Sequence, residues 1–237
     1  MVRYNADAEM ARRRFADHPR VRLAYRLRDA AIETVVDVGA NSGQYGRRLR
    51  QLGYTGRLIS FEPLGSAFET LQERAQKDGR WEAHRLALGE AEGEVELNVA
   101  ANSQSSSLLE ILPAHLEAAP DARAVERETV AVRTLDAVLS ERPLADGPAM
   151  LKLDVQGYEQ RVLEGARQVL PRFSLLQIEM SLVPLYDGEL GFAAMLDELA
   201  ARDWLLLDLF PGFSDPESGR LLQVDGLFRP APGRALR

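Results

Sequence analysis

Residues Glu33-Thr-Val-Val-Asp-Val-Gly-Ala-Asn-Ser-Gly43 decide the fold. Thr34 to Val38 form a nearly continuous run of β-formers, the composition of a strand buried on both faces. The run empties into the glycine turn Gly39-Ala40-Asn41-Ser42-Gly43, and a helical pattern follows. A strand that ends in glycines lets the backbone come close to a ligand, and the helix behind it points its unpaired N–H groups into the same space. This is the mouth of a nucleoside-binding α/β sheet.

Asp37 narrows the ligand. A dinucleotide pyrophosphate is held by G-x-G-x-x-G without a carboxylate against its phosphates. Here the spacing is Gly39-x-x-x-Gly43-x-x-Gly46, with Asp37 two residues before the first glycine. S-adenosylmethionine (SAM) carries a sulfonium and an ammonium but no phosphate, so an acidic, glycine-lined turn suits it. Gly56-Arg-Leu-Ile-Ser-Phe61 then reads as a short strand tipped by Glu62-Pro63, 25 positions beyond Asp37. A carboxylate at that tip can accept hydrogen bonds from both ribose hydroxyls. Alone, Glu62 would read equally well as an exposed loop residue; the glycine turn before it favours the ligand.

The series Val-Asp-Val-Gly-Ala-Asn-Ser-Gly-Gln-Tyr (36–45), Phe-Glu-Pro (61–63), Ala-Leu-Gly (87–89), Ser-Ser-Ser-Leu (105–108), Leu-Lys-Leu-Asp-Val-Gln-Gly-Tyr-Glu (151–159), Leu-Tyr-Asp-Gly (185–188) and Val-Asp-Gly-Leu-Phe (224–228) resembles the FkbM-type SAM-dependent methyltransferases. The resemblance runs from about Glu33 to about Arg229. It implies a Rossmann-like class I methyltransferase fold: a seven-stranded, mostly parallel sheet with an antiparallel last strand and helices on both faces. It also implies SAM as cofactor, S-adenosyl-L-homocysteine as product, and a cofactor site at Asp37, Gly39, Ala40, Asn41, Ser42, Gly43, Tyr45, Glu62, Pro63, Ala87, Leu88 and Asp154.

Composition agrees with one enzyme domain. A chain of 237 residues with 46% apolar content can bury a full core. The net charge of −7 gives no footprint for nucleic acid. Arg12-Arg13-Arg14 and Arg47-Arg48 are surrounded by acidic residues and read as solvated helix faces. The absence of cysteine rules out disulfides, cysteine-ligated zinc and thiol catalysis. With neither a membrane-spanning apolar run nor a signal peptide, a cytoplasmic location is expected.

Strand and helix patterns alternate from residue 33, which means a parallel sheet with right-handed crossovers. Residues 1–32 read as an N-terminal helical extension, placed to cap the cofactor side or to form a contact in a homo-oligomer. The methyltransferase domain is expected over 33–237. Within it, 82–88 reads as one strand, Gly93–Val99 as an edge strand, Leu108–Ala119 as a weak helix, and 101–128 as an insertion, of which residues 101–120 are expected to form a mobile lid that orders over the acceptor.

Chemistry belongs at the carboxyl ends of the strands. Asp154 ends the fourth parallel strand and is the first choice for a residue that orients the acceptor or takes its proton. Lys152 lies two residues earlier on the same strand face; it could keep Asp154 ionised, hold an anionic acceptor, or form with it a buried structural ion pair. Ser105, Ser106, Ser107, Tyr158, Glu159, Glu179 and Tyr186 are the candidate acceptor contacts, with Glu159 equally suited to stabilising a helix start. His84 suits a core. His115 is a conceivable base if its segment folds over the site. Trp204 is expected in the core, and Phe213 could line an acceptor cavity. No metal is expected, although Asp154 with Glu159 or Glu179 could hold one.

The reaction this implies is direct displacement, with a small-molecule hydroxyl on a sugar, polyketide or other metabolite attacking the methyl group in line with the departing sulfur. The competing readings are an NAD-type oxidoreductase, which lacks its glycine pattern here, and a SAM-binding module that needs no acceptor cavity.

Overall fold

The computed structural model describes residues 18–233. In chain order the elements are α1 (Pro19–Asp29), β1 (Thr34–Val38), α2 (Gln44–Gln51), β2 (Arg57–Phe61), α3 (Gly65–Asp78), β3 (Trp81–His84), β4 (Ala87–Leu88), β5 (Gly93–Ala100), α4 (Pro113–Ala118), β6 (Ala124–Arg133), α5 (Leu135–Glu141), β7 (Ala149–Leu153), α6 (Glu159–Glu164), β8 (Phe173–Ser181), α7 (Phe192–Ala201), β9 (Trp204–Pro211) and β10 (Gln223–Pro230). Seven strands make one sheet in the order β3-β2-β1-β7-β8-β10-β9. Only β10 runs antiparallel to its neighbours. This is the Rossmann-like class I methyltransferase sheet, and its order reverses between β1 and β7, where a ligand crevice opens.

The sheet is buried on both faces because successive side chains of each strand point opposite ways. Val35 joins Leu23, Leu49 and Leu71 beneath α1, α2 and α3. Val36 and Val38 join Leu139, Leu163 and Leu199 beneath α5, α6 and α7. No residue of β1 is exposed, which explains its unbroken apolar character.

The structure departs from the sequence reading in three places. The strand expected over 82–88 divides into β3 and β4. β3 follows β2 only to the pair Phe61↔His84; Pro63 has no N–H to offer beyond that point. The chain then finds a new partner in β6, with Ala87 opposite Val132 and Leu88 opposite Arg133. β4, β6 and β5 form a second, three-stranded sheet with β5 at its edge. The polar stretch 101–128 therefore ends in strand, since β6 begins at Ala124.

The second departure is the helix expected over Leu108–Ala119, which is confined to Pro113–Ala118. Proline is tolerated only in a first turn, and the residues before it are held extended by the bridges Asn98↔Ser107 and Ile111↔Tyr186. The third concerns α1, which lies at the amino ends of the strands beside Glu33, Thr34 and Arg57, so the described part of the extension does not cap the cofactor side. Residues 1–17 of the extension, including Arg12-Arg13-Arg14, lie outside the described residues. Among the described residues no helix is long and apolar enough to cross a membrane.

Candidate active site

A cavity of about 440 Å³ opens at the carboxyl ends of β1, β2, β7 and β8 and the amino end of the antiparallel β10, and the segment 102–119 covers it. Its size is that of a small-molecule site. One half is made by the glycine turn. Gly39 has φ +76°, and a Cβ there would stand 1.8 Å from the Asp154 carbonyl oxygen, so the tip of β7 is seated directly on the turn. Asn41 also has positive φ (47°), a conformation asparagine accepts more readily than most residues. Its Oδ1 accepts hydrogen bonds from Ser42 N and Gln44 Nε2.

Glu62 is buried at the tip of β2. Its Oε2 accepts from Asn41 N at 2.7 Å and its Oε1 from Leu64 N at 2.9 Å. These two bonds fix the carboxylate at the cavity wall, and each oxygen keeps lone-pair capacity for a ligand hydroxyl. Burial pushes its pKa up to about 7, opposed by the two backbone N–H groups.

Lys152 is 3% exposed and stands between two carboxylates. Its Nζ lies 3.1 Å from Asp37 Oδ1, 3.3 Å from Asp154 Oδ2 and 3.3 Å from the Gly39 carbonyl oxygen. It also lies over the Tyr45 ring, 5.2 Å from the centroid. Burial disfavours its charge, but Asp154 and Asp37 together outweigh burial and hold its pKa above the usual lysine value. Asp37 is completely buried and burial raises its pKa. The structure thus contains the ion pair expected of Lys152 and Asp154, and adds Asp37 as the deeper partner. Asp37 does not line the cavity; it supports the turn through Lys152 and through Ser60, whose Oγ lies 3.4 Å from Asp37 Oδ2.

The other half is built from amides and carboxylates. Gln156 has φ +56° and donates from Nε2 to Asp154 Oδ1 at 2.7 Å and to Glu179 Oε2 at 2.9 Å. Gln223 Nε2 donates to the same Glu179 oxygen at 2.8 Å. Glu179 and Asp225 are register partners across β8 and β10, and both carboxyl pKa values are raised, chiefly by burial and then by the charge of Asp154.

The structure brings most of the expected residues to this cavity. Gly39, Ala40, Asn41 and Tyr45 line one end with Glu62 and Pro63, and Ala87 and Leu88 close the wall behind them. Lys152, Asp154, Tyr158, Glu179 and the serines 105–107 line the rest, joined by His115 and Phe213. Four further candidates face elsewhere. Ser42 is tied to α3 by Arg74, and Gly43 is packed under Trp81. Glu159 is buried behind the cavity, where Oε1 accepts from Val155 N at 2.8 Å and burial lifts its pKa to about 8. It serves the start of α6. Tyr186 is buried behind the cavity wall, its hydroxyl donating to Gln156 Oε1 at 2.5 Å and its ring packed edge-on against His115. His84 stacks on Phe61 in β3, and Trp204 is buried in the core.

The family model described as Methyltransferase FkbM domain matches residues 37–205. The chain belongs to the FkbM methyltransferase family. It is 26% identical over 183 residues to the 2-O-methyltransferase NoeI of Sinorhizobium fredii (strain NBRC 101917 / NGR234), covering 75% of this chain and 74% of that protein. Among solved structures it is similar to an rRNA methylase from Streptococcus thermophilus (14% identity, TM-score 0.46, 91% of this chain and 98% of that one). It is also similar to TehB from Haemophilus influenzae (11% identity, TM-score 0.46), where 88% of this chain covers 61% of the other.

Sequence reading of this FkbM methyltransferase missed Gln156, Gln177, Gln223 and Asp225, which all line the cavity. A signal existed for Gln177, a polar residue inside the apolar run Leu175-Leu176-Gln177-Ile178, two positions before Glu179. Gln223 and Asp225 become visible only once β10 is laid antiparallel on β8.

Proposed function

We propose that the protein transfers the methyl group of SAM to a hydroxyl of a polar, uncharged small molecule. The observation that carries this reading is the seating of a glycine turn and a buried, doubly anchored carboxylate beside a second half-cavity rich in amides and carboxylates. The residues fit the cofactor on their own geometry. Gly39 leaves room where a side chain would collide, Glu62 presents two oxygens to ribose hydroxyls, and the carboxyl groups of Glu62, Asp154, Glu179 and Asp225 offer acceptors to the ligand's amino group and hydroxyls.

When bound there, SAM supplies a methyl group already activated by its positive sulfur. The protein's own work is to hold an acceptor oxygen at near-attack distance and to keep water out. The segment 102–119 does the second, tied down at Asn41 by Ser103 and at Gln156 by Ser107, whose Oγ donates to the Gln156 carbonyl at 2.7 Å. Asp154, oriented by Lys152 and Gln156, stands at the boundary between the two halves and orients the acceptor hydroxyl. Amide and carboxylate groups match a polyhydroxylated acceptor, and the similarity to a 2-O-methyltransferase supports oxygen as the atom methylated. Calorimetric titration with SAM and with NAD tests the first half, with binding expected for SAM alone. Incubation with SAM and a panel of methyl glycosides and polyols tests the second: a product heavier by one CH₂ is expected, and its absence from every alcohol would remove the hydroxyl acceptor.

A further inference from the structure

His115 is 3% exposed, yet it lines the cavity, and its Nε2 lies 3.4 Å from the Ser105 hydroxyl. Its ring is clamped edge-on against Tyr186 at 5.1 Å and tilted against Phe213 at 5.4 Å. Nδ1 is buried without a hydrogen-bond partner. Buried histidines that serve only packing have their polar atoms satisfied; this one is held by aromatic walls with one nitrogen facing a cavity-lining hydroxyl.

Ser105 sits where the two halves meet. Its neighbour Ser103 accepts from Asn41 Nδ2 at 3.1 Å, on the cofactor turn. On the other side Ser107 is bonded to the Gln156 carbonyl, two residues from Asp154. The Ser105 amide is fixed by Asn102 Oδ1 at 2.9 Å. Asp154, by contrast, already accepts from Gln156 with one oxygen and faces Lys152 with the other.

We propose that Ser105 and His115 form the proton relay of the transfer reaction: the acceptor hydroxyl donates to Ser105 Oγ, whose proton passes to His115 Nε2. The acceptor oxygen bonds to the methyl carbon as the carbon–sulfur bond breaks and its electron pair stays on sulfur. The acceptor's proton replaces the one that Ser105 gives to the imidazole, and the imidazolium releases it to water after the products leave. Ser105 touches the acceptor, and His115 acts through it. The relay rests on the hydroxyl-acceptor reading above.

The surroundings suit this role. The turn carrying Ser105 and the loop carrying Phe213 bring no titratable side chain against the ring, and the loop after β8 brings Tyr186. Across the cavity stand Asp154, which is paired with Lys152, and Glu179, whose carboxyl pKa burial raises. Burial alone lowers the His115 pKa from its ordinary 6.5, so the ring is neutral and able to accept at pH 7.

Two experiments decide the matter. Long-range ¹H–¹⁵N spectra of the full chain, with the imidazole assigned by loss of its peaks in His115→Gln, should show a neutral Nδ1–H tautomer at pH 7 that titrates below 6.5. An Nε2–H tautomer, which has no lone pair facing Ser105, would overturn the relay whether or not an acceptor has been found. With a methyl glycoside that is turned over, Ser105→Ala and His115→Gln should each lower kcat by about a hundredfold or more while SAM affinity stays within about twofold. Ser105→Thr should recover activity, and His115→Gln should lose the acidic limb of the kcat profile. A kcat within a few-fold of the parent in both variants, or an unchanged acidic limb, would refute it. Failure of all alcohols as acceptors, with SAM still bound, would sink the hydroxyl-acceptor reading and leave the tautomer measurement as the judge of the relay.

Discussion

The two halves of the cavity are built by different means. On the cofactor side the walls are backbone: the positive-φ Gly39, an asparagine in the left-handed region and a carboxylate anchored by two main-chain N–H groups. On the acceptor side they are side chains from three strands and a covering segment, joined by Gln156 and Gln223 around Glu179. A backbone wall depends on where glycine falls in the sequence. A side-chain wall depends on which strands the fold makes adjacent, so it can change without altering the turn.

Lys152 joins the two halves, and its two partners should differ most. Replacing Asp37 by Asn removes the wholly buried partner and leaves a buried cation facing a carboxylate that is itself a third exposed. Loss of about 3–5 kcal/mol of stability is expected. Asp154→Asn leaves the Asp37 pair intact and should cost about 1 kcal/mol or less, while turnover falls at least tenfold through loss of acceptor orientation. Urea unfolding of both variants checks this; equal losses would mean that Lys152 does not discriminate between the halves.

Glu62 should matter to the cofactor alone. Removing its carboxylate in Glu62→Ala deletes hydrogen bonds worth about 1.5–3 kcal/mol each when the acceptor is charged, so SAM affinity should fall at least tenfold. Its carboxyl pKa of about 7 sets a pH dependence. The ionised form is the better acceptor for ribose hydroxyls, so affinity holds above pH 7 and weakens as pH falls through it, by at most about tenfold per unit. Glu62→Gln should flatten that slope. Calorimetry at pH 6 and pH 8 measures it, and identical slopes in parent and variant would remove Glu62 from the binding site.

This difference in construction also explains what was legible in the sequence. Gly39, Glu62 and Asp154 were readable because close backbone approach and strand-tip carboxylates leave fixed spacings. The covering segment was readable as a break in alternation, but not its shape: β4 joins β6 rather than the main sheet because β2 ends at Phe61, two residues before Pro63, which only the strand pairing reveals. Gln223 and Asp225 escaped notice because their proximity to Glu179 is a register fact of an antiparallel pair 44–46 residues apart in sequence. Glu159 and Tyr186, read as acceptor contacts, are instead claimed by a helix start and a core position.

Gln156→Ala isolates the acceptor half. The substitution removes the bridge between Asp154, Glu179 and the Tyr186 hydroxyl, so KM for the acceptor should rise by roughly tenfold, the equivalent of one lost hydrogen bond of about 1.5 kcal/mol. SAM affinity should change less than about twofold. Equal weakening of both ligands would show that the halves are not separable.

The smallest effect is expected at Asp225, and its sign is the informative part. Asp225 and Glu179 lie directly opposite each other on β10 and β8, and like charges in that relation destabilise a sheet by about 0.2–1 kcal/mol. The Asp225 carboxyl pKa is raised from its usual 3.8. Between its unfolded and folded values the folded state therefore holds more protons, and stability falls as pH rises through that window. Asp225→Asn keeps the shape and removes the charge, so it should stabilise the protein slightly at pH 8 and less at a pH low enough to protonate the parent carboxyl. If turnover drops in the same variant, the acceptor half sacrifices stability to hold its carboxylates, as functional sites commonly do. A variant less stable than the parent at pH 8 would mean instead that Asp225 is held by favourable contacts. The acceptor wall would then be architecture like the glycine turn opposite it.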